Sequence, residues 1–197
     1  AWSEVSPPNY YPSSGVYYTY SSGSGLDWLS PERVAGQHFG SARLAVDARG
    51  TVHFGWQGDV AVGGRYYRQL AADAAGVWSR AETILSAGEG GMSGEMPLAF
   101  DSGGAVHVAV TADTGVVHLV RSAAGWSAPL DPTAGQRALP NESGSIEQPA
   151  LAVRLGNEVI AAWEFDFARI YVARGLAPAE ALAVPTVPTR AGMAEVG

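Results

Sequence analysis

Two glutamates occupy matching places in this sequence, Glu95 in Glu95-Met96-Pro97 and Glu147 in Glu147-Gln148-Pro149. Each lies two residues before a proline that opens a predicted β-strand. Two carboxylates held close together bind cations or sugar hydroxyls, and in the sharpest form they carry out acid/base chemistry on a glycosidic bond. The competing interpretation is that both are solvated charges that keep strand ends soluble.

Further candidate ligand-binding residues fall in the segments that connect the predicted strands. Tyr10 and Tyr11 lie in a long proline-rich insertion, and long ordered loops are often functional. His38 lies in a connecting segment between repeats. The remaining polar candidates either follow a second predicted strand or lie between repeats, and they are Asp59, Glu164, Asp166 and Arg137.

Histidine is the commonest metal ligand, so His53 and His107 suggest a metal site. They stand in equivalent places in two repeats, however, beside different neighbours and too far apart for one shared ion. His118 occupies a place that tyrosine occupies in other repeats, as in Tyr67. We therefore expect all three histidines to pack inside the repeats, and we expect no metal and no cofactor.

The elements that position these residues come from an internal repeat. Asp101 and His107 both lie 54 positions after Asp47 and His53, and each aspartate closes one predicted strand before a glycine-containing turn. Segments 42–47, 51–56, 65–68 and 77–79 read as four short strands of alternating character, and a tryptophan stands in the fourth. The pattern returns near residues 96–127 and again, with a shorter turn, near 150–163.

Four-stranded antiparallel units repeated at about fifty residues predict an all-β fold, a β-propeller segment of about three and a half blades. Each unit is a twisted sheet that needs neighbours to cover its faces. The predicted boundaries are a partial blade at 1–34, made of strands three and four after a long loop, then blades at 35–86, 87–132 and 133–187, and a tail or linker at 188–197. Since propellers close with about four to eight blades, we expect the remaining blades to come from a longer chain or from another copy.

Composition excludes several function classes. The 197 residues carry a formal net charge of −7, and all twelve basic residues are arginine. An acidic chain is a poor match for nucleic acid, so we expect no nucleic-acid partner. Cysteine is absent, which removes disulfides and thiol nucleophiles. No apolar run approaches the roughly 18 residues of a membrane helix, so we expect no membrane insertion.

The turn between the third and fourth predicted strands resembles the Asp-box (BNR) repeat of sialidase-like β-propellers, which reads Ser/Thr-x-Asp-x-Gly-x-x-Trp. One copy is Ala71-Ala72-Asp73-Ala74-Ala75-Gly76-Val77-Trp78, which keeps the aspartate, glycine and tryptophan with shifted spacing. The second, Ser122-Ala123-Ala124-Gly125-Trp126, has lost the aspartate. The resemblance implies the propeller fold, with tryptophans packed between blades at Trp28, Trp78 and Trp126.

Members of the sialidase-like group that are enzymes are similar in an arginine triad, a Tyr/Glu pair and an acidic acid/base residue. Arginines occur here at the ends of third strands, Arg68, Arg121 and Arg174, but as repeat positions they favour a structural role. We therefore expect a non-catalytic binding or scaffold module of a secreted or cell-surface β-propeller protein, with a glycan or a protein as ligand. The alternatives are part of a sialidase-like glycoside hydrolase and a structural component of a larger assembly.

Overall fold

A computed structural model describes residues 2–4, 15–21, 27–36, 38–58, 64–71, 76–86, 95–112, 115–130, 146–154, 156–165 and 169–176. Every regular element in these ranges is a β-strand. Within them, no apolar helix of membrane-spanning length occurs. The all-β prediction is confirmed.

Fourteen strands occur in the described ranges. They are β1 Trp2–Glu4, β2 Gly15–Tyr18, β3 Glu32–Ala35, β4 His38–Val46, β5 Val52–Gly58, β6 Arg65–Leu70, β7 Glu82–Leu85, β8 Leu98–Phe100, β9 Val106–Ala112, β10 Gly115–Ser122, β11 Gly125–Trp126, β12 Ile146–Arg154, β13 Glu158–Phe165 and β14 Arg169–Leu176.

These strands form four antiparallel sheets in chain order. The first sheet is β1-β2-β3, the second β4-β5-β6-β7, the third β8-β9-β10-β11 and the fourth β12-β13-β14. Within the described residues each sheet is a meander, which is the unit that the repeat predicts. Contacts between sheets join first to second, second to third and third to fourth. The described strands do not form a closed propeller.

The repeated aspartate builds the turn between the first two strands of a sheet. One carboxylate oxygen of Asp47, Oδ1, accepts hydrogen bonds from the backbone N–H groups of Arg49 and Thr51, at 2.9 and 2.8 Å. Gly50 supplies the left-handed residue of this turn, with φ 81°. Asp101 repeats both hydrogen bonds at 2.9 and 2.8 Å. The side chain thus replaces backbone partners that the tight turn leaves open.

The fourth strand of the third sheet, β11, contains Trp126 as predicted, whereas in the first and second sheets the fourth strand begins later than predicted. In the second sheet the strand is β7, Glu82–Leu85, and segment 77–79 precedes it. The reason is local, because Ser79 is joined to Gln69 by two bonds: its N–H donates to the Gln69 carbonyl at 2.8 Å and its hydroxyl accepts from the Gln69 N–H at 3.0 Å. Strand-like pairing resumes three residues later. In the first sheet Trp28 makes an isolated bridge to Ser21, and the strand follows as β3.

The hydrophobic core is divided into three clusters, one between each pair of consecutive sheets. Alternate residues of β5, which are Val52, Phe54 and Trp56, pack on Val16, Tyr18 and Val34 of the first sheet. Alternate residues of β9, which are Val106, Val108 and Val110, pack on Tyr67, Ile84 and Leu85 of the second sheet. Trp163 and Ala161 of β13 pack on Ala109 and Val116 of the third sheet. The second strand of each sheet therefore covers the preceding sheet.

The three tryptophans expected between sheets have different outcomes. Trp78 is 9% exposed and meets Tyr18 and Phe54 edge-on, so its predicted burial is confirmed. Trp126 is partly buried, lies edge-on to Tyr67, and donates its indole N–H to Glu82 at 2.9 Å. Trp28 is 64% exposed, so its predicted packing is wrong. Its isolated bridge to Ser21 places it before the strand that packs against the second sheet.

Arginines join neighbouring sheets. Arg68 donates to the backbone carbonyl of Val34 and, at 2.7 Å, to that of Ser79. Arg121 makes a two-bond ion pair with Glu82, at 2.9 and 2.7 Å. The predicted equivalence of Arg68, Arg121 and Arg174 is wrong, because their cross-strand partners are Phe54, Val106 and Ile160, which lie at different distances from the preceding turn.

Candidate functional site

The larger of two clefts described below lies between the first and second sheets and has a volume of about 440 Å³. It opens at what we call the turn edge, the edge of the sheets that carries the turn from the first to the second strand and the connection from the third to the fourth. Its walls are formed by Tyr18, Thr19, Tyr20, Leu29, Ser30, Glu32, Gly50, Val52, Leu70, Ala71 and Gly76. We call this cleft the tyrosine groove.

Two tyrosines form one wall of the tyrosine groove. Residues two apart in an extended segment point to the same side, which brings the rings of Tyr18 and Tyr20 together at 5.8 Å between centroids. Tyr18 is buried and is held edge-on by Trp78 at 5.3 Å. Tyr20 is 49% exposed. The ring of Tyr20 is therefore supported by the ring of Tyr18 and accessible to a ligand.

The polar groups of the tyrosine groove come from the segment that faces these tyrosines. The Thr19 hydroxyl donates to the Leu29 carbonyl at 2.6 Å, and the Leu29 N–H donates to the Tyr20 carbonyl at 3.1 Å. These bonds hold the chain leading into Glu32, which is exposed. Burial raises the pKa of Tyr18, and the nearby Tyr20 and Glu32 act in the same direction. Tyr18 therefore keeps its proton at neutral pH.

A second cleft, of about 260 Å³, lies between the second and third sheets at the same turn edge. Asp47, His53, Gln69 and Arg121 line it. These side chains already interact with one another or with neighbouring residues of the protein. Asp47 holds its turn, and the guanidinium of Arg121 is paired with Glu82.

His53 belongs to a buried chain of polar groups. Its Nδ1 lies 2.6 Å from the Tyr67 hydroxyl, and its Nε2 lies 3.4 Å from Oδ2 of Asp47. The same register positions of the third sheet hold Asp101, His107 and His118: His107 Nε2 is 3.5 Å from Asp101 Oδ2 and His107 Nδ1 is 3.0 Å from His118 Nε2. Both sheets therefore contain an Asp–His–acceptor arrangement, but its residues lie within the interfaces between sheets.

Burial determines the protonation state of these polar side chains. It lowers the pKa of His53 and of His107, which the neighbouring aspartates only partly offset. It lowers the pKa of His118 to about 4, with His107 adding to the effect. Burial also opposes ionisation of Asp47, yet the backbone hydrogen bonds from Thr51 and Arg49, with the nearby His53 acting in the same direction, outweigh it and lower its pKa. At neutral pH the histidines are neutral and Asp47 is charged.

The three histidines are buried, as the sequence predicts. Across the described ranges, no group of three or more His, Cys, Asp or Glu side chains has the geometry to hold a metal ion. Their burial places His53, His107 and His118 within the packing of the sheets.

The predicted site residues that the structure describes lie at the opposite edge of the sheets, where the second strands end. We call this edge the loop edge. Glu95 is partly exposed and forms an ion pair with Arg43 of β4, so it joins the second and third sheets. Glu147 lies in β12 and is the cross-strand neighbour of Glu164 in β13. Glu164 is therefore in a strand and not in a loop. His38 is the first residue of β4, with Gly58 as its cross-strand neighbour.

Five predicted residues, Tyr10, Tyr11, Asp59, Arg137 and Asp166, lie outside the described residues. The structure does not bring Glu95 and Glu147 together with the tyrosine groove, since one set belongs to the loop edge and the other to the turn edge.

Sequence reasoning missed two groups of residues. The first is Gln57 and Thr111, buried polar side chains one residue before the ends of β5 and β9, at the register position that the predicted residue Glu164 occupies in β13. A comparison of the three second strands would have revealed them. Tyr18 and Tyr20 are the second group, and their spacing of two within the predicted partial blade was the available signal.

No protein-family model matches this chain, and no curated protein matches it.

Proposed function

We propose that this chain is a segment of a β-propeller that acts as a non-catalytic binding module, and that the tyrosine groove binds a carbohydrate. The observation that carries the proposal is the exposed ring of Tyr20 stacked on the buried ring of Tyr18 inside a cleft of about 440 Å³. Clefts of that volume are typical of small-ligand sites. A glycan ligand is consistent with the further proposal that the protein is secreted or lies at the cell surface.

Several contacts support a sugar as the ligand. A pyranose ring has an apolar face of C–H groups that packs on an aromatic ring, and hydroxyls around its rim that need hydrogen-bond partners. The groove offers Tyr20 for the first and the oxygen atoms of Ser30 and Glu32 for the second. Glu32 is exposed, and an ionised carboxylate accepts hydrogen bonds but donates none, which suits neutral sugar hydroxyls better than anionic groups.

The propeller assignment is supported by the packing of consecutive sheets. Each of the second to fourth sheets places its second strand on the preceding sheet, and the polar turns at Asp47 and Asp101 recur at the same edge. A twisted sheet that buries both faces between identical neighbours is the building unit of a propeller. Resemblance of the 71–78 turn to an Asp-box points in the same direction.

The binding proposal is tested with a glycan array followed by titration calorimetry on the best ligand. Tyr20→Ala removes the stacking ring and should weaken binding at least tenfold, which corresponds to about 1.4 kcal/mol. Tyr20→Phe keeps the ring and should keep most of the affinity. The melting temperature of both variants should stay close to that of the parent, because Tyr20 is half exposed.

A second variant tests whether the ligand binds at the turn edge or at the loop edge. Glu95→Gln combined with Glu147→Gln removes the two carboxylates that the sequence predicts at a ligand-binding site. This double variant should leave the affinity unchanged. Loss of binding in this variant, with Tyr20→Ala unaffected, would move the ligand to the loop edge and refute the groove.

A further inference from the structure

The exposed face of the fourth sheet differs from the same face in the other three sheets. In the strands that match the third strand of the repeat, which are β2, β6, β10 and β14, two residues point towards the sheet that follows. They are Val16 and Tyr18 in the first sheet, Arg65 and Tyr67 in the second, Val116 and His118 in the third, and Ile170 and Val172 in the fourth. The first six are buried, whereas Ile170 is 79% exposed and Val172 is 58% exposed.

The neighbours of Ile170 and Val172 extend this surface. The cross-strand partner of Val172 is Ala162, and Ile160 lies two residues before Ala162 on the same side of β13. Arg174 and Glu158 border the apolar residues with charge. Contiguous apolar surface of this kind on a soluble protein marks an interaction site. We call it the open face.

What covers the equivalent face elsewhere is visible in the same molecule. In the second and fourth sheets, a tryptophan of the second strand and the tyrosine opposite it pack together on the preceding sheet. These pairs are Trp56 with Tyr66 and Trp163 with Tyr171, stacked at 5.7 and 6.0 Å. In these two interfaces the covering element is a cross-strand Trp–Tyr pair, and in the third sheet the same register positions hold Val110 and Val117.

The first sheet has the same two residue types at the same register positions. Trp2 and Tyr17 are direct cross-strand partners, in the register of Trp56 with Tyr66 and of Trp163 with Tyr171. The residue after Tyr17 is Tyr18, which faces the second sheet, so Tyr17 belongs to the other side. One chain thus has an exposed apolar face on its fourth sheet and a Trp–Tyr register pair on its first.

We propose that the open face binds the first sheet of a second copy of this chain, so that two copies pack head to tail. With the four described sheets of each copy, two such heterologous contacts related by a two-fold axis would close a ring of eight. Eight is within the roughly four to eight sheets that propellers accommodate. The contact repeats an interface that occurs three times within the chain. It is independent of the tyrosine groove, which is enclosed by the first two sheets of one copy.

The first test is the mass in solution, measured by size exclusion with light scattering. The parent should have twice the mass of the 20.4 kDa chain. Val172→Arg places a charge in the open face and should give the single-chain mass. Val77→Arg alters an equally exposed apolar residue, 69% exposed, away from the open face and should remain a dimer. Tyr20→Ala should also remain a dimer, so that a failure of sugar binding and a failure of association are distinguishable.

The second test uses the absence of cysteine from the chain. A mixture of Tyr17→Cys protein and Ile170→Cys protein should form a disulfide-linked species of double mass under mild oxidation, and neither variant alone should form it to the same extent. A parent that runs as a monomer would overturn the proposal. So would a dimer that Val172→Arg leaves intact, or a variant carrying both cysteines that links only within one chain.

Discussion

Single side chains in this protein often serve two neighbours at once. Asp47 uses one carboxylate oxygen for its turn and presents the other to His53, and Asp101 does the same for His107. That double use explains why aspartate and histidine recur together with a fixed spacing of six. A change at such a position alters a turn and a sheet interface together.

Trp78 provides a stability prediction at this scale. Trp78→Ala should lower the free energy of unfolding by about 3–5 kcal/mol, because it removes a buried indole that contacts Tyr18 and Phe54. Urea denaturation followed by circular dichroism measures it. Trp28→Ala is the matched control, since that indole is 64% exposed and its removal should cost under about 1 kcal/mol. Equal losses in the two variants would contradict the different packing of the two tryptophans.

The buried histidines predict a loss of stability in mild acid. The folded pKa of His118 is about 4 and its unfolded pKa is about 6.5, so between these values the unfolded chain binds the proton and the folded chain does not. Stability therefore falls as the pH falls from about 6.5 to 4, by on the order of 3 kcal/mol for this residue. His53 and His107 have lowered pKa values and contribute in the same direction. Asp47 titrates below this window, because its pKa is lowered from 3.8.

The substitution His118→Tyr tests this pH dependence, because the second sheet has a tyrosine, Tyr67, in the same register. Denaturation midpoints of the parent and the variant should be compared between pH 7 and pH 5. The variant should lose less stability across this range. An identical pH dependence in both proteins would show that His118 does not control it.

At the scale of elements, the turns depend on a few backbone conformations. Gly104 has φ 84°, and a Cβ added there would meet no atom within 4 Å. Gly104→Ala should therefore destabilise the protein by about 1–2 kcal/mol through backbone strain alone. Gly36→Ala is the control, because Gly36 is exposed and does not have a left-handed conformation. Thermal melting of both variants measures the difference, and a Gly104→Ala protein that melts with the parent would contradict the turn assignment.

Element boundaries also show what the sequence could predict. The pairing of first and second strands was predictable because alternation and the aspartate turn fix the register together, as in Ala42 opposite Trp56. The fourth strand was predictable in the third sheet, where β11 contains Trp126, but not in the second. There Trp78-Ser79 looks like a strand, but after the two hydrogen bonds between Ser79 and Gln69 the strand begins only at Glu82. The tyrosine groove was hidden for a different reason. Tyr18, Gly50 and Leu70 come from three distant segments, and only the packing of two sheets brings them together.

At the scale of the whole molecule, Glu95 shows how an isolated motif can be ambiguous. The sequence places Glu95 and Glu147 in matching Glu-x-Pro segments, yet the structure gives Glu95 an arginine partner on the neighbouring sheet. Partly exposed ion pairs contribute about 0–1 kcal/mol, so Glu95→Gln should change the melting temperature little. A large loss would mean that the contact between Arg43 and Glu95 organises the sheets more strongly than its exposure indicates.

The separation of the core into three clusters has a consequence for how the molecule opens. No residue of the described core belongs to two clusters, so each sheet is stabilised only through its nearest neighbours. Such a chain behaves like a one-dimensional array in which the terminal unit can detach while the rest stays folded. Amide hydrogen exchange should therefore be slowest in β9, which lies between two clusters, and faster in β14. If the open face is covered as proposed, protection of β14 should rise with protein concentration and return to that of an end unit in Val172→Arg.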